Sequence, residues 1–258
     1  MEKRDIGKLL AVGVVSGFFS AALGIGGGVI MVPALLFYLK YDIKEAVGVS
    51  LASIVPGAFV GVLTYFFMHS LNVDLRNVFF IVCGSVAGAR AGVWLAGRVN
   101  AVVLRRMFAF ILFFTGLKLA GVIDLPAGTV TDAGLPLFLV LLGGAAGLSS
   151  GLFGIGGGVI MVPVLNLFFG LSMHEAIGTS LAVIVPTSLA GAWFHKRAGN
   201  MKLDAVMFIL PAVLAGAVSG ALVSDKMPDA VLKFIFGVLL ILCAVKLFRG
   251  REDIESRI

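Results

Sequence analysis

Ten consecutive residues, Gly24-Ile25-Gly26-Gly27-Gly28-Val29-Ile30-Met31-Val32-Pro33, recur unchanged from Gly154 to Pro163, 130 residues further along the chain. The same offset carries Glu45–Pro56 onto Glu175–Pro186, with only Val47, Val49 and Ser53 replaced, by Ile177, Thr179 and Val183. Any fold for this chain must hold two copies of one unit. Each copy sets three adjacent glycines directly before an apolar run. A glycine costs a helix interior about 1 kcal/mol relative to alanine, so each cluster reads as a break between two helices.

Of the 258 residues, 60% are hydrophobic and 13% charged, and the mean hydropathy is +1.10. A water-soluble domain carries about a quarter charged residues, so the solvent is a bilayer. The 34 glycines suit close helix packing, and the strand alternation of a barrel is missing. The fold class is an all-α polytopic membrane protein in the cell (inner or plasma) membrane. A net charge of +6 would suggest nucleic acid for a soluble protein. Here Lys and Arg sit between apolar runs, as the positive-inside rule places them, and no nucleic-acid partner is expected. Cys83 and Cys243 lie in apolar segments and read as small hydrophobes. The first 24 residues imitate a secretory leader, but 135–154 is their internal equivalent, so they read as a helix.

Helices are expected over 6–23, 29–39, 42–68, 76–97 and 103–122, and again over 135–153, 159–169, 175–194, 203–223 and 230–248. Asp42-x-x-Glu45 and Ser172-x-x-Glu175 are capping-box patterns, and Pro56 should kink its helix. Gly84-x-x-x-Gly88-x-x-x-Gly92 and Gly216-x-x-x-Gly220 are ridges for helix contact, whereas Gly13 reads as an ordinary helix glycine. The organisation is then a first membrane repeat (1–123), a linker (124–134), a second repeat (135–248) and a charged tail (249–258). If the chain turns back at each glycine cluster, the 19 Lys and Arg residues other than Arg90 divide fifteen to four between the two sides. If it runs straight on, they divide twelve to seven. The first arrangement obeys the positive-inside rule better. It makes the halves inverted repeats, each opened by a glycine-broken hairpin, with both termini cytoplasmic.

The glycine clusters are the leading site candidates. A helix that begins inside the membrane offers unpaired N–H groups and about half a positive charge, so Gly26, Gly27, Gly28, Gly156, Gly157 and Gly158 would line an anion site; otherwise they only permit a tight turn. Arg90 stands deep in an apolar run, where a cation costs roughly 2.5–3.5 kcal/mol. It either faces the substrate or is structural. Ser50, Ser53, Thr179 and Ser180 would line a polar path or bond between helices, and Asn166 is a further candidate. Glu45 and Glu175 are explained by capping. His69, His174 and His195 fall at helix ends without ligand spacing, so no metal or other cofactor is expected. Nor is there a nucleophile–base–acid set or an ATP-binding sequence, which argues against an enzyme or a pump.

The doubled pattern G-x-G-G-G-x-[IL]-x-V-P followed by E-A-x-G-[TV]-S-L, here Gly24–Pro33 with Glu45–Leu51 and Gly154–Pro163 with Glu175–Leu181, resembles the sulfite exporter TauE/SafE family. The resemblance spans both halves. It implies an inner-membrane permease that moves small sulfur-containing anions such as sulfite, thiosulfate or sulfonates, coupled to a proton or other ion gradient. An anion channel and a transporter of a small cation remain the alternatives. A scaffold would need no Arg90.

Overall fold

Hydrocarbon offers no partner for backbone N–H and C=O groups, so a chain this apolar must satisfy them within each segment. The structure, a computed structural model, describes residues 3–69, 75–96, 98, 109, 110, 113, 114, 116, 117 and 135–249. Every regular element among them is a helix. In the first half these are α1 (Lys3–Leu23), α2 (Gly28–Leu39), α3 (Ile43–His69) and α4 (Leu75–Leu95). The second half holds α5 (Leu135–Phe153), α6 (Gly158–Phe168), α7 (Met173–Arg197), α8 (Leu203–Asp225) and α9 (Asp229–Arg249). The linker 124–134, the tail past 249 and all but six positions of the helix expected over 103–122 lie outside the described residues.

Among the described residues six helices, α1, α3, α4, α5, α7 and α8, are long and apolar enough to cross a membrane. By contrast α2 and α6 have 12 and 11 residues, about 18 and 16 Å, too short to cross alone. Glycine sets how closely the long helices approach. On α4, Gly84, Gly88 and Gly92 lie against the backbones of Val140, Gly144 and Leu148 of α5, and Gly143, Gly147 and Gly151 answer against Ile81, Ser85 and Ala89. The rising numbers on both sides make α4 and α5 parallel. Likewise α1 and α8 run parallel, Gly17 against Val213 and Gly216 and Gly220 against Val14 and Phe18. Gly13 belongs to this contact, because a Cβ there would stand 2.8 Å from Ala212 Cβ and 2.9 Å from Ile209 O. It is a packing glycine, not the ordinary one its surroundings in the sequence suggest.

Between these pairs α3 and α7 run antiparallel, with Gly48 beside His195, Leu51 beside Gly191 and Gly61 beside Leu181. Both continue through an internal proline, Pro56 and Pro186. Each glycine-packed pair therefore joins one half to the other. The halves interlock rather than sit side by side.

Candidate functional site: two crossed glycine hairpins

Three glycines in each connection hold a positive φ: Gly24, Gly26 and Gly27 at 66°, 79° and 70°, and Gly154, Gly156 and Gly157 at 71°, 76° and 85°. An L-residue pays about 1–2 kcal/mol for that backbone. The result is a reversal. Gly27 is already back beside α1, where a Cβ would meet Ser16 O at 2.6 Å and Ser20 Cβ at 3.1 Å. Both short helices therefore start in the interior, and their N-caps, Gly27 and Gly157, being glycines, offer no side-chain oxygen to the first-turn N–H groups. Ile30 and Met31 N–H turn back to Gly27 O at 3.1 and 3.0 Å, as Ile160 and Met161 do to Gly157 O at 3.1 and 3.2 Å. The earlier first-turn N–H groups have no carbonyl within their own helix.

The two hairpins cross. A Cβ built on Gly156 would lie 3.5 Å from Gly26 Cα, so the loops touch where the halves meet. Gly28 faces the carbonyl of Gly154, and Gly158 faces that of Gly24. The same two carbonyls accept from the long helices: Ser50 Oγ donates to Gly154 O and Ser180 Oγ to Gly24 O, both at 2.8 Å. Ser50 and Ser180 are 130 residues apart, and so are their acceptors. Each half's latch therefore grips the other half's hairpin.

The remaining candidates divide. Thr179 is buried on α7 next to Ser180. Ser53 Oγ donates within its own helix to Val49 O at 2.8 Å. Asn166 Nδ2 donates to Leu171 O at 2.6 Å, closing the turn from α6 into α7. Arg90 is not brought to the hairpins: it is exposed, on the side of α4 away from Gly84, Gly88 and Gly92. An apolar stretch tells that a residue lies at membrane depth, not which way it faces.

Three hydroxyls absent from those expectations stand out. Ser20, Ser150 and Ser188 are 2%, 0% and 0% exposed, and their Oγ atoms have no hydrogen-bond partner. A buried hydroxyl without a partner costs about 1–3 kcal/mol. Ser188 Oγ would lie 3.3 Å from a Cβ on Gly156, and Ser20 is the residue against Gly27. Ser20 and Ser150 correspond at the 130-residue offset, a signal the sequence carried. Among the described residues the buried polar side chains are hydroxyls, Asn166 and His195, and none bears a fixed charge.

Two contacts brace the long helices where they run into the glycine loops. Tyr65 OH lies 2.6 Å from Ser224 Oγ, which donates to Ala22 O at 2.8 Å, just before the first glycine loop. His195, buried within α7, reaches Gly151 O through Nε2 at 3.0 Å. His174 bridges Asp229 at 2.8 Å. The Ser172–Glu175 capping box is complete. In the first half Glu45 accepts from Asp42 N only at 3.4 Å and instead pairs with Lys202 at 2.7 Å. That hydrogen bond holds the Lys202 ammonium above the ordinary lysine range, so the pair persists at neutral pH and is lost as pH climbs through the raised value. Glu45→Gln should therefore make Lys202 acylate faster near pH 10 with little change in melting temperature, read by mass spectrometry of the labelled peptide.

Comparison with known proteins fits this arrangement. The chain is 26% identical to a probable membrane transporter protein, YunE, of Bacillus subtilis, over 93% of this chain and 96% of that protein. It is 28% identical to a probable membrane transporter protein of Haemophilus influenzae, again over 93% and 96%, and 28% identical to YdhB of Bacillus subtilis over 87% and 91%. The family described as sulfite exporter TauE/SafE matches residues 2–119 and 138–257, so both glycine hairpins, with the long helices that latch them, fall within the matched segments, and the chain belongs to the sulfite exporter TauE/SafE family.

Proposed function

We propose that this membrane transporter moves a small sulfur-containing anion, such as sulfite, thiosulfate or a sulfonate, by alternating access, and that the crossed hairpins hold the anion. One observation carries the reading: two helix N-termini without side-chain caps begin at the point where the hairpins touch, and among the described residues no buried side chain bears a fixed charge. Helix N-termini favour anions through their free N–H groups and dipoles. Broken helices of this kind form midplane sites in secondary transporters, whose driving force is an ion gradient. A cation carrier would need buried carboxylates, and none is found among the described residues. In proteoliposomes, labelled sulfite or thiosulfate should cross faster than in empty vesicles and respond to an imposed proton or sodium gradient. Flux of metal cations but not of sulfur oxyanions would overturn the reading, and gradient-independent flux at channel rates would replace the carrier with a pore.

The antiparallel course of α3 and α7, which correspond in the repeat, supports inverted halves with the termini cytoplasmic. Single cysteines in 124–134 should react with impermeant maleimide from outside, and cysteines near either end only from the cytoplasm. The opposite pattern would reject the orientation. Arg90 has no place in this site. Arg90→Met should leave substrate affinity within about twofold, the ordinary range for a surface substitution; a tenfold loss would return it to the selectivity machinery.

A further inference from the structure

We infer that the end of α4 holds an anionic phospholipid, whose headgroup phosphate pairs with Arg90 and Arg98 beside Trp94. This does not depend on what the hairpins carry. Phe79, Cys83, Ala87, Arg90, Trp94 and Arg98 are exposed at steps of three or four, on the side of α4 away from its glycine ridge. Residues at those steps are neighbours along one helix face. The stripe is apolar up to Ala87 and then turns cationic and aromatic. The Arg98 guanidinium lies 4.0 Å from the centre of the Trp94 ring. Among the described residues no hydrogen bond or ion pair engages Arg90.

The depth of Arg90 makes it unusual. At the end of α7 the Arg197 guanidinium lies 4.8 Å from the Trp193 ring centre, and Lys202 Nζ lies 4.5 Å from that of Tyr41. All three pairs belong to one end of the bundle. Gly151 lies against Ala89 and Val93 of α4, His195 of α7 reaches Gly151 O, and Gly48 of α3 lies beside His195 and Asn200. Aromatic and basic residues collect where a membrane meets water, so this belt marks the interface. Arg90 stands four residues before Trp94, about 6 Å deeper. Helical Cα–Cβ bonds tilt toward the N-terminus, and α4 meets the belt with its C-terminus. The Arg90 side chain therefore sets off toward the bilayer centre and must bend back to reach water. A lipid-facing cation in hydrocarbon is rare and calls for a partner. A guanidinium takes a phosphate through paired N–H groups, and basic residues beside a membrane segment attract anionic lipids. Trp193 supplies the comparison: one turn deeper it has Leu189, exposed, where Trp94 has Arg90, although Lys196 and Arg197 put two cations at the belt beside it.

The chain has two tryptophans, so Trp193→Phe leaves Trp94 as sole reporter and Trp94→Phe leaves Trp193. Each full-length variant is reconstituted in phosphatidylcholine vesicles with rising fractions of brominated phosphatidylglycerol or brominated phosphatidylcholine, lipids alike except in headgroup. Tryptophan quenching then gives the relative affinity of the two lipids at each site. Trp94 should favour phosphatidylglycerol at least about fivefold, the scale of one basic residue at an anionic membrane surface. Trp193 should favour it no more than about twofold, because nothing basic lies beneath it. Arg90→Gln added to Trp193→Phe should bring Trp94 down to the Trp193 level. Arg90→Lys keeps the charge without the paired donors and should fall between. Equal preference at the two tryptophans would overturn the inference, since the belt would then attract lipid by surface charge alone. A preference at Trp94 that survives Arg90→Gln would equally remove Arg90 from the site. Cys83, exposed seven positions before Arg90 on the same stripe, separates the remaining outcome. If neither lipid quenches Trp94 and oxidation links Cys83 into dimers, a second copy of the chain covers this face and the lipid site is rejected.

Discussion

Alanine at Gly28 or at Gly158 is expected to abolish transport and to destabilise the purified protein by about 3 kcal/mol, the upper range for an added methyl group in a packed interior. Neither position has a positive φ, so backbone strain is not the cause. The new methyl would overlap the carbonyl of Gly154 in one case and of Gly24 in the other. Those carbonyls cannot retreat, since Ser50 and Ser180 hold them from the long helices. The clash must then push the two helix N-termini apart, which would dismantle the proposed anion site. Gly27→Ala combines a milder contact, 2.6 Å from Ser16 O, with about 1–2 kcal/mol for its left-handed backbone. Gly13 is a poor control because it packs on α8, whereas a Cβ on Gly7 meets nothing within 4 Å. Gly7→Ala should melt at or above the parent temperature and transport normally. The measurement is thermal unfolding in detergent together with liposome flux. Parent-like values for Gly28→Ala and Gly158→Ala would show that the crossing of the hairpins is not needed.

Much of this arrangement is legible in the chain because the repeat supplies it twice. Three glycines in a row cannot stay helical, and their identical return at Gly154 marks them as a shared break. Glycine spacing on α4 and α8 gave two of the contact ridges. The facing ridge Gly143-x-x-x-Gly147-x-x-x-Gly151, and its mate Gly13-x-x-x-Gly17, follow the same rule and identify the partners. Arg90 was misleading for a physical reason: hydropathy reports depth in the bilayer and not direction, and the ring of apolar neighbours around a lipid-facing residue looks like that around a buried one. Ser20 and Ser188 were missed for the converse reason. A lone serine in an apolar helix usually bonds back to its own backbone, as Ser53 and Ser149 do, and only coordinates reveal one that does not. Nor could sequence show that Ser50 and Ser180 reach across the halves, since both bonds join residues more than 100 positions apart.

The reciprocal serines give the second large effect. Ser50→Ala and Ser180→Ala should each destabilise by about 1–3 kcal/mol, because each leaves a buried carbonyl oxygen without its donor. The double variant should lose less than the sum of the two. Gly24 O is held by Ser180 and also backs Gly158, the first residue of α6; Gly154 O is held by Ser50 and backs Gly28, the first residue of α2. Releasing one latch therefore loosens the loop against which the other half's short helix begins, and that helix then gains less from its own latch. Residues that share partners in this way show coupling of about 0.5–3 kcal/mol, whereas independent sites add to within about 0.5 kcal/mol. Transport should follow the coupling: either single variant disturbs both N-termini, so substrate affinity should fall in each, and the second substitution should add little. Chemical unfolding of the parent, the two single variants and the double closes the cycle, with flux measured on the same four proteins. Additive stability losses, with affinity lost in only one of the single variants, would mean that the hairpins act as two separate units and that only one of them faces the substrate.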